Sequence, residues 1–536
     1  MPAPQYATDR EPCIPVLLLN GRQEYLGWRD VLLRAHLIQD LALPLPPAAS
    51  GVLRLLVAMA ARVSGLDAQA EGRMTARQWA QRRRDLLKNP AGFDPDAVHD
   101  YFDRYIWDLF HPQRPFLQDP RLAAQCERRA GVNKLVFGRP EGNNLSWLSV
   151  HTDTDPQPVP SEQALWHLLI HHYYGAAGQY SARTVEGRSL ANAKAGPLRS
   201  TLSFHPLGRT LYETLLAGMP KPSRLWPDAE DHCPWEEPLP APDPDPDPDP
   251  VGGPDPDAAP PPVSSPGRLL TGRSQHAALL IPSADGRQVT DAYLTWATQK
   301  KLPALDPYLI HHVHTGRHVT QRHKARPADA DRALWRDLDA LLLAGDEDGR
   351  KRQTGKAGLA YNVQRPDAFT TLNDLPPDLR AALRVRVYGF DQDDKTLNRT
   401  WYTALTPPIW PWTQEHDPAA AERIAECRKA AEEIGEHLDT VSKSAWSQVT
   451  SPAGDKAGRP PRRLPPWTHN ARTLYWPRAE TTFWALLDDT ARPPRAAFTA
   501  DAVHALRTAT RPAIAQHFRA AEVIAHAVAD LHGHRP

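Results

Sequence analysis

Gln392 closes the stretch Leu383-Arg-Val-Arg-Val-Tyr-Gly-Phe-Asp-Gln392, in which Arg384, Arg386 and Tyr388 alternate with Val385 and Val387. That period of two predicts a strand with one wet face. Gly389 releases the backbone, and Asp391, Gln392, Asp393 and Asp394 make a run too polar to bury, so Thr396 to Thr403 is expected to return as the partner strand. The expected product is a hairpin holding a side-chain amide out to solvent. An amide carries donors and an acceptor in one plane, which suits base edges, and no nucleophile or general base stands nearby.

Histidines offer the competing chemistry. His167, His171 and His172 share a helical stretch, the first two four residues apart, and His311, His312, His314, His318 and His323 crowd another segment. Clustered histidines of this kind define the alternative, a metal-dependent hydrolase. Neither group has the Glu of an H-E-x-x-H helix or neighbouring cysteines, so structural or surface roles are expected, with no metal and no cofactor. No G-x-S-x-G elbow and no G-x-x-x-x-G-K-[ST] phosphate loop occurs, and no catalytic residue is assigned. Asp391, Asp393 and Asp394 could form a short acidic metal loop. Lys395 beside them, and the lack of a ligand at a fixed distance, favour a solvated turn. Gly175-Ala176-Ala177-Gly178 has two readings: a helix C-cap, which is the plainer one, and a backbone surface able to approach a duplex closely.

Charge adds no overall field, since 63 Lys and Arg balance 63 Asp and Glu. The balance is uneven along the chain: an acidic Asp-Pro tract offsets basic stretches at Arg82-Arg83-Arg84, 317–326 and 459–463, so local basic surface is compatible with zero net charge. Cysteines 13, 126, 233 and 427 lie far apart with no C-x-x-C spacing, and no secretory leader is read. A disulfide framework is therefore not expected, and a cytoplasmic location is. The apolar runs at 14–19 and 52–61 are too short or too broken for a membrane span.

These residues need elements to position them. Ile14 to Leu19, stopped by Asn20-Gly21, and Glu24 to Trp28 predict a small sheet, followed by helical periodicity over 30–38, 51–63 and 75–87. Asp94-Pro95 caps a further helix. Gly131 to Leu148 lacks an apolar period and is read as a long mobile loop. Ser161 is expected to cap a helix running to Tyr174, Leu202 to Leu216 a strand and the start of a helix, and Asp329 to Leu343 an amphipathic helix. The Asp/Pro-rich insertion 238–262 cannot bury enough apolar surface to offset its ordering entropy and is expected to be disordered. After Trp412, Asp417-Pro418 opens a helix whose Ile424, Cys427, Ala431, Ile434, Leu438, Val441 and Ala445 recur at threes and fours, the seam of a bundle. The expected fold class is α+β: a large mixed N-terminal domain, 1–412, with small sheets and many helices, and a C-terminal four-helix bundle, 413–536.

Several motifs taken together resemble one family, the large subunit CasA of the type I-E CRISPR complex Cascade. They are Phe110-His-Pro-Gln-Arg-Pro-Phe-Leu-Gln118, Asn143-Asn144, His205 to Leu216 as HPLGRTLYETLL, Cys233-Pro-Trp-Glu236, Arg332-Ala-Leu-Trp-Arg-Asp-Leu338, and Val387-Tyr-Gly-Phe390 leading to Trp401. Their order and spacing span nearly the whole chain. The resemblance implies a non-catalytic subunit that recognises the protospacer-adjacent motif in double-stranded target DNA and helps open it for R-loop formation. Its implied partners are the other Cascade subunits, a guide RNA (crRNA) and a helicase-nuclease, with no membrane. It places a DNA-motif wedge at Gly389, Asp391, Gln392 and Asp393, and a glycine loop at Gly175, Ala176, Ala177 and Gly178. A mobile loop carries Asn133, Lys134, Asn143 and Asn144. The family's lysine finger falls where this chain has no lysine, so Arg273, Gln275 or His276 is expected to substitute, or the contact to be lost. Only Cys233 remains of the paired cysteines that hold zinc in some relatives. Arg459, Arg462 and Arg463, in a loop of the bundle, have two readings, strand or phosphate contacts and a solvated basic loop.

Overall fold

The computed structural model describes the chain except residues 1–2, 68–73, 142–148, 223–230, 238–254, 259–262, 303, 315–322, 343–352, 355–359, 394–396, 451–463, 517 and 534–536. The chain divides into two compact units, residues 1–332 with 345–410, and residues 333–344 with 411–536.

The first unit is built around the helix Pro46–Ser64, in which every residue from Pro47 to Ala61 is buried. Among the described residues it is the one helix long and apolar enough to cross a membrane, and it lies packed inside the protein. It tolerates a charge at its centre because Arg54 meets Asp306 through two bonds, Nε to Oδ2 at 2.6 Å and an Nη to Oδ1 at 2.9 Å. The same guanidinium donates to Ser203 Oγ and to the Ser50 carbonyl. Burial by itself would lower the Arg54 pKa, but the Asp306 carboxylate holds the guanidinium above its ordinary value.

Small antiparallel sheets surround this helix. The expected N-terminal hairpin is present as Ile14–Leu18 and Gln23–Leu26, and a third strand, Ile38–Leu41, adds to its far edge. That third strand occupies the end of the stretch expected to be helical, so the helix there is only Trp28–Leu33. His276–Pro282 pairs with Gln288–Trp296, and Gly178–Val185 with Arg188–Ala193. Asp94 caps Pro95–Asp103 through the Asp96 amide as expected, and Thr75 forms a reciprocal capping box with Gln78.

Two helix expectations need correction. Ser161 does not cap: it is the first helical residue of Ser161–Tyr174, and its buried hydroxyl donates to the Gly286 carbonyl, a partner 125 residues away. Asp329 to Leu343 is not one amphipathic helix. It begins as a 3₁₀ turn, Leu334–Asp337, and continues as the short helix Leu338–Leu342.

The second unit is a helical bundle of Pro418–Thr450, Pro466–Asp488, Pro494–Gln516 and Phe518–Leu531. The expected seam of the first helix is buried from Ile424 through Ala445. The short 334–342 segment belongs to this unit, where Arg336 forks onto Glu432 at 2.8 and 2.7 Å and lies over the Trp476 ring. The Arg459, Arg462 and Arg463 loop lies outside the described residues, as does most of 238–262. Of the latter, Asp255–Ala258 forms a turn, and Asp257 pairs with Arg188.

Candidate nucleic-acid interface

Arg384–Gln392 is the central strand of a three-stranded sheet, flanked by Asn398–Leu405 on one side and Leu202–Leu207 on the other. A central strand has few wet positions, and the expected wet face ends after Arg386. Tyr388 is buried against His205 with ring centroids 5.6 Å apart. Gly389 is needed where it stands, because a Cβ there would sit 2.4 Å from the Tyr402 ring.

The expectation of an amide held out at an exposed tip is overturned. Gln392 is only 3% exposed. Its Nε2 donates to the Asn398 side chain at 2.7 Å and to the Tyr174 carbonyl at 3.2 Å, and its Oε1 accepts from the Ser200 amide at 3.2 Å. Asp391 is also buried, accepting from Arg399 at 2.8 Å and from the Ala330 amide at 3.3 Å. Asp391 and Gln392 can be buried because their polar atoms find partners, from the neighbouring strand and from the distant Tyr174, Ser200 and Ala330, which composition alone does not reveal. The turn itself lies farther along: Asp393 and Leu397 exchange backbone and side-chain bonds across it, and residues 394–396 are outside the described residues.

The glycine turn adjoins the turn end of this hairpin. Gly175 ends the helix Ser161–Tyr174 with its amide on the His171 carbonyl, the C-cap of the plainer reading, and Gly178, at φ 142°, starts the next strand. The turn is also closely packed: a Cβ on Gly175 would stand 2.5 Å from the His276 ring and 2.7 Å from the His171 carbonyl. The Ala176 carbonyl accepts from His276 Nε2 at 2.9 Å and from the Tyr180 hydroxyl at 3.1 Å, while Ala176, Ala177 and Gly178 remain partly exposed.

The segment read as a wholly mobile loop starts as a helical turn, Val132–Leu135, with Asn133 buried and bonded to the Thr152 carbonyl and to Asp153. Its Leu135 carbonyl meets His171 Nε2 at 3.0 Å, and Phe137 packs between His171 and Phe390. Lys134 lies 4.8 Å from the Tyr180 ring centre and pairs with Glu141 at 2.7 Å. Asn143 and Asn144 lie outside the described residues.

None of the three residues expected to substitute for a finger is exposed. Arg273 is 7%, Gln275 0% and His276 2% exposed. Arg273 donates to the Leu305 carbonyl, and burial lowers its pKa to about 10. Gln275 holds the Lys300 carbonyl and the Leu302 amide. The exposed cations beside it are Lys300 and Lys301, in a strand exit that sequence reasoning passed over.

His167, His171, His276 and His311 are buried and His172 is half-buried, whereas His323 is exposed. Burial lowers His167 to about 3 and His276 to about 4, and lowers His171 and His172 as well, so all four are neutral near pH 7. No group of three or more His, Cys, Asp or Glu placed to hold a metal occurs among the described residues, and all four cysteines are buried thiols. His318 lies outside the described residues. Sequence reasoning missed Tyr174, Arg199, Ser200 and Asn398, which join the hairpin to the glycine turn. The signal available was thin: Gly196 and Arg199, in a polar stretch with no period.

Fold and site together define a class: an α+β unit in which buried polar side chains hold loops against one another, plus a helical bundle. The model of the family CRISPR-associated protein Cse1 matches residues 10–517, and the chain belongs to this family. It is similar to the CRISPR-associated protein CasA/Cse1 of Thermus thermophilus, with 26% identity over 492 residues, 89% of this chain and 84% of that protein. Among solved structures it is similar to a chain of a CRISPR RNA-guided surveillance complex, at 36% identity and a TM-score of 0.79, covering 99% of this chain and 100% of the other. A chain of such a complex in a pre-nicking state matches at 35% identity and a TM-score of 0.72, with 98% of each covered. The Thermus thermophilus CasA crystal structure shares the fold, at 20% identity and a TM-score of 0.67 over 99% of both chains.

Proposed function

We propose that this protein is the non-catalytic large subunit of a crRNA-guided surveillance complex. In this reading it recognises the protospacer-adjacent motif in double-stranded DNA, helps to open the adjoining base pairs, and presents the target to a helicase-nuclease. The observation that carries the reading is the meeting of three segments. The glycine turn 175–178, the 132–137 turn and the turn end of the 384–405 hairpin adjoin, joined through the Tyr174 carbonyl and Phe137.

The chemistry fits a duplex better than a small substrate. Backbone and short side chains at a partly exposed turn can approach the minor groove, whose edges discriminate base pairs only coarsely, so several motifs are tolerated. Lys300 and Lys301, both exposed, supply positive charge for phosphates without naming a base. Opening the first step costs a few kcal/mol, which an inserted turn offsets by occupying the gap, while pairing with the guide RNA drives the rest. The hairpin turn 393–397, and not the Gln392 amide, is the part of the wedge that enters. Gln392 braces it from behind.

The test uses the complete complex with guide RNA. Replacing 393–397 with a short Gly-Ser turn is expected to leave assembly intact and to slow R-loop formation on paired DNA. Opening at the wild-type rate by such a complex refutes the hairpin's role, and motif substitutions without effect on binding refute the recognition role.

A further inference from the structure

We infer that the segment Gly196–Ser200, with Arg199 at its centre, couples the glycine turn to the hairpin, so that contact with the duplex and entry of the hairpin act as one unit. This rests on the function proposed above and names a positioning residue for it.

One side of the segment is bonded to the glycine turn. The Gly196 amide donates to the Gly175 carbonyl at 2.9 Å and the Leu198 amide to the Tyr173 carbonyl at 2.9 Å. The approach is closer than any side chain allows: a Cβ at Gly196 would stand 2.6 Å from the Tyr173 carbonyl oxygen and 2.9 Å from the Gly175 nitrogen. The other side is bonded to the hairpin, since Ser200 donates its amide to Gln392 Oε1 and its hydroxyl to the Gln392 carbonyl at 2.7 Å. Ser200 has φ 59°, a left-handed conformation that L-serine adopts only when its surroundings determine it.

Arg199 ties both sides through one planar group. Its Nε donates to the Asp393 carbonyl at 2.8 Å, one Nη to the Tyr174 carbonyl at 3.0 Å, and the other to the Leu397 carbonyl at 3.3 Å. Asp393 and Leu397 are the two ends of the hairpin turn, and Tyr174 immediately precedes the glycine turn. The guanidinium therefore clamps the mouth of one turn against the root of the other. Its side chain is 2% exposed while that of Asp393 is 40% exposed, so Arg199 acts from behind the surface and touches no duplex itself. Three carbonyls in fixed directions suit a rigid fork; a lysine offers a point charge on a flexible stem and cannot hold them together.

Arg199→Lys and Arg199→Ala are assembled into the full complex, beside a deletion of residues 394–396. Three DNAs are compared: a fully paired target, the same target with its first few protospacer pairs mismatched open, and a short duplex carrying only the motif. The expected result for Arg199→Lys is R-loop formation on the paired target slowed about tenfold, the scale of one lost charge-assisted contact. The pre-opened target restores the wild-type rate, and affinity for the motif duplex is unchanged. A wild-type rate on the paired target overturns the inference, and so does a defect that the pre-opened target fails to rescue, which marks general damage. Arg199→Ala is expected to repeat the pattern more strongly; if it does not assemble, the lysine variant alone decides. The deletion separates the two claims. If it leaves opening intact, the hairpin reading itself fails; if it abolishes opening while Arg199→Lys is silent, only the coupling fails.

Discussion

Gln392→Ala separates a buried brace from an exposed wedge, because the two roles predict effects on stability of very different size. Truncation removes the acceptor of the Ser200 amide and the donor to the Asn398 side chain and the Tyr174 carbonyl. Two of these losses are mild: the Tyr174 carbonyl keeps Arg199, and the Asn398 side chain lies on an exposed residue that water can reach. The Ser200 amide is the group left without its acceptor, at a cost of about 1–3 kcal/mol. Loss of the buried side-chain stem adds about 1 kcal/mol. The expected destabilisation is thus about 2–4 kcal/mol, against less than about 0.5 kcal/mol for an amide standing in solvent. Denaturant unfolding of the purified chain measures it, with hydrogen exchange on peptides covering 196–202 and 384–393 to localise it. Superimposable unfolding curves and unchanged exchange in those peptides refute the buried-brace reasoning.

Arg54→Ala leaves Asp306 as an unpaired buried carboxylate and is expected to cost about 3–5 kcal/mol, whereas the double change Arg54→Met with Asp306→Leu recovers most of it; chemical denaturation of both variants checks this. The buried histidines add an acid dependence. His167 and His276 have folded pKa values of about 3 and about 4, below the ordinary 6.5, so the unfolded chain binds more protons between those limits. Stability therefore falls as pH drops below 6.5, by about 1.4 kcal/mol per pH unit for each histidine, until the folded pKa is reached. Unfolding midpoints at pH 5, 6 and 7 test the sign, and a flat profile contradicts it. Gly175→Ala drives a methyl group into the His276 ring and the His171 carbonyl, and is expected to displace the turn and weaken motif-duplex binding; unchanged binding by the assembled variant removes the turn from the interface. Metal analysis of the purified chain is expected to find no stoichiometric zinc or manganese, and finding either revives the hydrolase reading.

Local pattern carried much of the architecture. The bundle seam from Ile424 to Ala445, the Asp94 cap and the Asn20-Gly21 hairpin are signalled by residues a few positions apart, and periodicity reads such spacing directly. The motifs strung from Phe110 to Trp401 were enough to point to the Cse1 family. What they did not reveal is the state of any one polar side chain. Gln392, Asp391 and Arg273 look like surface groups in sequence, yet they lie inside, and partners come from segments far along the chain: Ser200 and Tyr174 for Gln392, Ala330 for Asp391, Leu305 for Arg273. Solvation of a polar group is a property of its whole surroundings. Only the folded chain, by bringing 174, 199 and 392 together, decided that the amide braces the hairpin and that an arginine in an unremarked loop holds it to the glycine turn.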